Sequence, residues 1–186
     1  MKFLMPTVSA VAFFAASSFG QAATETSWAS SPHAETRLIA GREAVPGTGE
    51  AVIVMGWQVR LEPGWKTYWR TPGEAGKPPR FSWEGSLNVA SVRLLYPFPE
   101  RFEIFGLHTY GYAGEVIYPL LVEPLIPGAP MTLKAKAEFL VCATLCVPAE
   151  QSYELSLRGT AGTAPPSRHY AHLAAALAKV PKDAGL

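Results

Sequence analysis

Apolar residues return at every second position along much of the chain. In residues 51–61, Ile53, Met55, Trp57, Val59 and Leu61 fall on one side, and Gly56, Gln58 and Arg60 on the other. Residues 131–141 repeat the rhythm, with Met131, Leu133, Ala135, Ala137 and Phe139 opposing Thr132, Lys134, Lys136 and Glu138. A period of two with one apolar face predicts antiparallel strands packed on a core by one side and wetter on the other. Shorter β-type runs bounded by turn residues occupy 36–40, 65–70, 80–83, 89–96, 115–122 and 152–157.

The punctuation between these runs suggests how they connect. Glu62-Pro63-Gly64 places Pro and then Gly where a type II turn wants them, which predicts a hairpin between the 51–61 and 65–70 runs. Glu84-Gly85-Ser86 marks another break, and the Pro/Gly-rich residues 71–79 read as a long loop. Short strands at roughly 8–12-residue spacing, with no long helical pattern between them, predict an all-β fold. The expected architecture is an immunoglobulin-like antiparallel β-sandwich, with an open barrel as its rival. Only the tail looks helical: Ser167 caps a short C-terminal helix with Tyr170, Leu173, Leu177 and Val180 on one face, and Pro181 stops it.

The ends of the chain set the expected domain limits. Lys2 followed by an apolar run over residues 8–16 and small residues near Gly20-Gln21-Ala22-Ala23 reads as a signal peptide over 1–23. The run is too short for a bilayer, which needs about 20 apolar residues. Residues 24–34 are polar and small and read as a flexible leader, with order beginning near Glu35. One domain over 35–160 and a tail over 161–186 with a short helix complete the division. Lys2 is the only charge in the first 23 residues, so its loss takes the formal charge from +1 to zero. Without a strong field of either sign, nucleic-acid binding is excluded and no stable membrane insertion is expected.

An exported chain meets an oxidising compartment, so its two cysteines, Cys142 and Cys146, pose a redox question. They follow a strand pattern and precede Val147-Pro148, which places them at a strand end where the chain turns. Left extended, their Cα atoms would lie about 13 Å apart, whereas a disulfide needs them within about 7 Å. Bonding therefore requires a tight turn or one helical turn.

Three readings of the pair stand side by side. A structural staple is disfavoured because a loop of about five residues stabilises by only roughly 2 kcal/mol, against about 4–5 for a loop of a hundred. A cycling dithiol/disulfide couple exploits proximity, since one sulfur attacks a partner and the other resolves the mixed disulfide. Ala143, Leu145 and Val147 bring no cation, so thiolate is expected to form only when a partner docks. Two thiolates could also hold Cu(I). No other cysteine exists, and His33, His108, His169 and His172 are scattered and read as solvated surface, so no metal ligand is assigned. No phosphate loop, nucleophile elbow or paired-histidine motif supports hydrolase or transferase chemistry.

From Gly49 to Leu157 the chain resembles the N-terminal periplasmic domain of the DsbD/ScsB group of thiol:disulfide interchange proteins. The likeness rests on Gly64-Trp65-Lys66-Thr67-Tyr68-Trp69-Arg70-Thr71-Pro72-Gly73 with Gly76-Lys77-Pro78-Pro79, on Tyr112-Ala113-Gly114-Glu115-Val116, and on Leu140-Val141-Cys142 to Cys146-Val147-Pro148. It implies an immunoglobulin-like domain without a cofactor. Such a domain takes electrons from a membrane-embedded thiol reductant and passes them to oxidised periplasmic proteins, thioredoxin-like or other, as a protein-disulfide reductase component.

The resemblance also implies a cap loop, here Arg101-Phe102-Glu103-Ile104-Phe105-Gly106, displaced on docking. Phe102 and Phe105, with Ile104 between, would shield sulfur, Glu103 would tune its protonation, and Tyr68 and Trp69 would line the site. A reduced pair in an oxidising compartment does need an apolar cover, although Phe102, Ile104 and Phe105 also fit a core. The archetypal DsbD domain has five residues between its cysteines and this chain three, closer to the ScsB-like branch. With no electron conduit or thioredoxin-like domain following, the chain is expected to act as a separate subunit with an unlinked donor.

The leading expectation is a periplasmic interchange protein in which Cys146 is attacked and Cys142 resolves. The alternative is a periplasmic binding module, either copper-binding or a structural sandwich with an inert disulfide.

Overall fold

The structure is a computed structural model that describes residues 23–104 and 106–182. The expected signal peptide, save its last residue, and Phe105 lie outside the described residues. Along the chain run β1 (Ala29–Ser31), β2 (Ala34–Ala40), β3 (Ala44–Pro46), β4 (Ile53–Leu61), β5 (Lys66–Gly73) and β6 (Arg80–Ser82). They are followed by β7 (Ser91–Leu94), β8 (Glu100–Ile104), β9 (Leu107–Ala113), β10 (Glu115–Glu123), β11 (Met131–Cys142), β12 (Cys146–Thr160) and helix α1 (Tyr170–Ala178). One sheet has the order β1-β2-β4-β10-β7, the other β3-β12-β11-β5-β9-β8, with β6 also paired to β11. Pairing is antiparallel except between β3 and β12. This is the immunoglobulin-like β-sandwich that the alternation predicts.

The sheets meet through the residues that the period of two singles out. Met55, Trp57 and Val59 of β4 and Leu133, Ala137 and Phe139 of β11 are buried in one cluster. Trp57 is its hub: its ring meets Phe81, Tyr118 and Phe139 at centroid distances of 5.1–5.2 Å. A buried indole N–H needs an acceptor, and Trp57 Nε1 donates to the Tyr153 hydroxyl at 3.1 Å. Tyr153 in turn meets Thr36 Oγ1 at 2.5 Å, and Thr36 donates to the Ala29 carbonyl at 3.4 Å. This polar thread crosses from β4 to β12 and back to β2, fixing how the sheets lie on one another.

Several expectations fail for identifiable reasons. The Glu62-Pro63-Gly64 turn forms, with Trp65 N–H donating to the Glu62 carbonyl at 3.0 Å and Gly64 at φ +86°. It does not close a hairpin, however: β4 pairs with β2 and β10, and β5 with β9 and β11, so the turn carries the chain from one sheet to the other. Gly56 and Gln58, expected on a wetter face, are buried. Gly56 lies beneath Leu173 of α1, and a Cβ there would collide with Leu173, Ile117 and Ile39. Leu173 and Ala176 on the helix and Val180 just beyond it are buried, whereas Tyr170 is 46% exposed.

Order begins before Glu35. Thr26 N–H donates to the Leu38 carbonyl at 2.9 Å, Glu25 bridges to Ile39, and β1 pairs with β2. The anchor is electrostatic: the Glu25 carboxylate receives Arg37 at 3.0 Å, His169 at 2.5 Å and also Arg168. His169, expected in solvent, is thus buried and ties the tail to the leader. Ser167 does not cap the helix. Its hydroxyl donates to the Ala40 carbonyl at 2.5 Å and accepts from His169 N–H at 3.0 Å, while His169 stands at the N-cap without a side-chain bond. The 71–79 stretch is shorter as a loop than expected, because β5 runs on to Gly73.

Candidate redox site

β11 and β12 form one long hairpin whose register runs from Met131↔Leu157 to Cys142↔Cys146. The cysteines are the last opposed pair before the turn of residues 143–145, where Ala143 N–H donates to the Leu145 carbonyl at 3.0 Å. Directly opposed strand residues approach to about 4.5–5.5 Å, and here the Cα atoms lie 4.1 Å apart with the sulfurs bonded. The tight turn required by the spacing is therefore a hairpin. Because strand residues alternate in face, Cys142 and Cys146 share the outer face of the sheet with Leu140 and Pro148, opposite Val141 and Val147.

The two sulfur-bearing residues differ sharply in access. Cys142 is 1% exposed, whereas Cys146 and the neighbouring Leu145 are exposed. Cys142 is shielded from the side by β5, whose Lys66 is its register partner. A cation therefore stands across the ladder, which the local residues Ala143, Leu145 and Val147 did not suggest. The Lys66 ammonium donates to the Gly64 carbonyl at 3.3 Å and sits 5.2 Å from the Phe102 ring centroid.

Two residues beyond Lys66 on the same face, the Tyr68 hydroxyl stands 3.9 Å from Cys146 Sγ. Tyr68 is 2% exposed, and its burial raises the phenol above its ordinary pKa, so it is a neutral O–H beside sulfur. Its ring is roofed by the chain at Gly76, at φ +98°, where a Cβ would clash with Cδ1, Cε1 and Cζ. Residues 74–79 thus fold back over the tyrosine. Glu74 secures that loop to β9: its N–H donates to the His108 carbonyl at 3.0 Å, and its carboxylate accepts from His108 N–H at 2.6 Å.

The expected cap loop is a hairpin. β8 pairs with β9 from Glu100↔Gly111 to Ile104↔Leu107, and β9 pairs with β5, so the hairpin flanks the strand that flanks Cys142. Phe102 is half-buried, with its ring over the Lys66 ammonium. Glu103, exposed and in register with His108, belongs to the opposite strand face from Phe102. Ile104 closes the described part of β8, and Phe105 is outside the described residues. Trp69, expected to line the site, instead packs against the core cluster, and the Arg70 guanidinium lies 4.9 Å over its ring. Alternation with Tyr68 explains the difference.

Sequence reasoning passed over one neighbour. The His33 ring stacks on Trp65 at 3.6 Å and its Nδ1 meets the Glu62 carboxylate at 2.7 Å, next to Lys66. Nothing local in the leader signals this contact, because it depends on β1 and β2 bringing His33 to the end of β4. Among the described residues no group of three His, Cys, Asp or Glu could hold a metal ion, and no helix is long and apolar enough to cross a membrane.

Residues 35–157 match the family model described as thiol:disulfide interchange protein DsbD, N-terminal. Among curated proteins none matches the chain. The crystal structure of the N-terminal periplasmic domain of ScsB from Proteus mirabilis is similar with a TM-score of 0.67 and 29% identity, covering 85% of this chain and 60% of that one. The chain therefore spans 60% of the length of that relative. The reduced N-terminal domain of DsbD from Neisseria meningitidis aligns at 18% identity and a TM-score of 0.37, covering 68% of this chain and 87% of that one, too remote to bear on the site.

Proposed function

The chain belongs to the family of DsbD N-terminal thiol:disulfide interchange domains, and on that footing we propose that it is a periplasmic two-electron carrier between a membrane thiol reductant and oxidised partner proteins. The observation that carries this reading is the asymmetry of the couple: Cys146 is exposed and Cys142 is 1% exposed. Exchange requires a collision between a thiolate and one sulfur of a disulfide, so the sulfur open to a partner is the one attacked.

On reduction, a donor thiolate attacks Cys146 Sγ. The Cys142–Cys146 bond breaks, and Cys142 leaves with the electron pair. A second donor thiolate then attacks its own sulfur in the mixed disulfide, releasing Cys146 as thiolate and leaving the donor oxidised. On delivery, Cys146 attacks the acceptor's disulfide and expels one acceptor thiolate. Cys142 then attacks Cys146 Sγ, reforming the intramolecular bond and releasing the second thiolate. Two electrons and two protons pass in all.

The Tyr68 hydroxyl supplies a hydrogen bond toward the charge that forms on Cys146, and Phe102 screens the Cys142 side, where its ring lies over Lys66. Lys66 lends positive charge on the Cys142 side. Each cysteine replaced singly by serine tests the assignment. Reduced Cys142→Ser should trap partners as mixed disulfides through Cys146, while Cys146→Ser should trap few. Equal trapping by both variants, or none by either, would refute the order or the exchange itself.

A further inference from the structure

Beside the disulfide the outer face continues as a groove of about 510 Å³ lined by Lys77, Pro78, Arg80, Leu140, Pro148 and Glu150, among others. Its floor follows the ladder. The rung next to Cys142↔Cys146 on that face is Leu140↔Pro148, and the next is Glu138↔Glu150, with Arg80 opposite Glu138. Leu140 is half-buried and Pro148 exposed, so the nearer rung offers an apolar surface to whatever reaches Cys146. Lys77 and Arg80 on the walls are matched by Glu138 and Glu150. The groove thus carries no net charge, and selection by sign is weak there.

Rungs on one strand face are two residues apart, about 6.6 Å, which is also the spacing of same-side residues in an extended partner segment. A polypeptide that brings its sulfur to Cys146 while lying along this groove therefore sets the side chain two positions from its cysteine over Leu140 and Pro148. We propose that this rung is a specificity subsite receiving an apolar side chain that the partner carries two residues from its reacting cysteine. The inference rests on the exchange reading above and adds the chemistry of the partner segment to it. Burying most of a leucine-sized side chain against that rung gives a preference of about tenfold over a small polar one.

The test uses the full chain in reduced form and two blocked peptides, Leu-Ala-Cys-Ala-Leu and Ser-Ala-Cys-Ala-Ser, each as its symmetrical disulfide dimer. The flanks are identical on both sides because either chain direction is compatible with the groove. The reduced couple converts one dimer to two peptide thiols, followed by chromatography, and each rate is divided by that of the same dimer with dithiothreitol. Hydroxyethyl disulfide serves as an oxidant without flanks.

The expected result is a normalised rate about tenfold higher for the leucine dimer, falling toward equality in Leu140→Ser. Should L140S fail to fold, Pro148→Ser reads the same rung. Equal normalised rates, or a preference that survives both substitutions, overturn the subsite while a reaction with hydroxyethyl disulfide leaves the exchange reading standing. A reduced chain inert toward all three oxidants overturns both.

Discussion

Replacing Gly76 with alanine separates two costs that usually arrive together, because Gly64 provides a control on the same molecule. Both glycines hold positive φ, +98° and +86°. An added Cβ at Gly64 has nothing within 4 Å, whereas at Gly76 it would overlap three ring atoms of Tyr68. Gly64→Ala should therefore cost only the backbone strain of an L-residue at positive φ, about 1–2 kcal/mol. Gly76→Ala should add the cost of overpacking, about 1–3 kcal/mol, because Tyr68 is 2% exposed with little room to move. Equilibrium urea unfolding of the oxidised proteins reads the difference. The same pair predicts a chemical effect, since a Tyr68 ring displaced by the added Cβ withdraws the hydroxyl that supports the thiolate departing at Cys146: dithiothreitol should reduce G76A more slowly than the unsubstituted protein and G64A at the unsubstituted rate. Equal destabilisation by the two alanines, or equal reduction rates, would refute the claim that residues 74–79 roof the site.

Tyr153→Phe removes the group that serves Trp57 Nε1 and Thr36 Oγ1. It should cost about 1–3 kcal/mol in urea unfolding; an unchanged midpoint would mean that the thread between the sheets carries no stability. The pH dependence of stability follows from His169. Burial lowers its pKa below the ordinary 6.5, against the raising effect of Glu25. The unfolded chain therefore binds the proton more readily, and stability falls as pH drops from about 6.5 through the folded value. Glu25 works in the same direction at lower pH. Burial alone would raise its carboxyl, but His169, Arg37 and Arg168 together hold it below 4.5, so its contribution is present above that value and lost in acid. His169→Gln should accordingly show a smaller loss of stability between pH 7 and 5, measured by urea titration; an unchanged slope would remove His169 from the account. Phe102→Ala should speed alkylation of the reduced couple by iodoacetamide, since its ring lies over Lys66 beside Cys142; an unchanged rate would end its assignment as a cover.

What was legible in the sequence was local. The apolar faces of β4 and β11 and the position of Cys142 and Cys146 at a strand end where the chain turns depend on neighbours in the chain, and these appear where expected. β8 and β9 carry no such signal, because Glu100-Arg101-Phe102-Glu103 and His108-Thr109-Tyr110-Gly111 lack a clean apolar period: β8 is the edge of its sheet, and β9 beside it sends Tyr112 into the core cluster. The turn at Pro63-Gly64 was legible as a turn, but a turn does not say whether the next strand joins the same sheet. Tyr68 and Trp69 are equivalent in sequence as adjacent aromatics; alternation gives one to sulfur and the other to the core, and the choice depends on which face of β5 turns toward the opposite sheet. The order of the leader was hidden because Glu25 finds its partners at Arg37, Arg168 and His169, two of them more than a hundred residues away.

That clasp bears on where the protein can be cut. The matched family segment, 35–157, leaves out both Glu25 and the helix that places Leu173 over Gly56. A fragment trimmed to those limits would keep both sulfurs yet bare the greasy strip around Ile39, Gly56 and Ile117. It would also strip β1 from the rim of its sheet, leaving β2 open to stray strand addition. The unit that covers its own apolar surface is therefore longer than the unit that holds the chemistry.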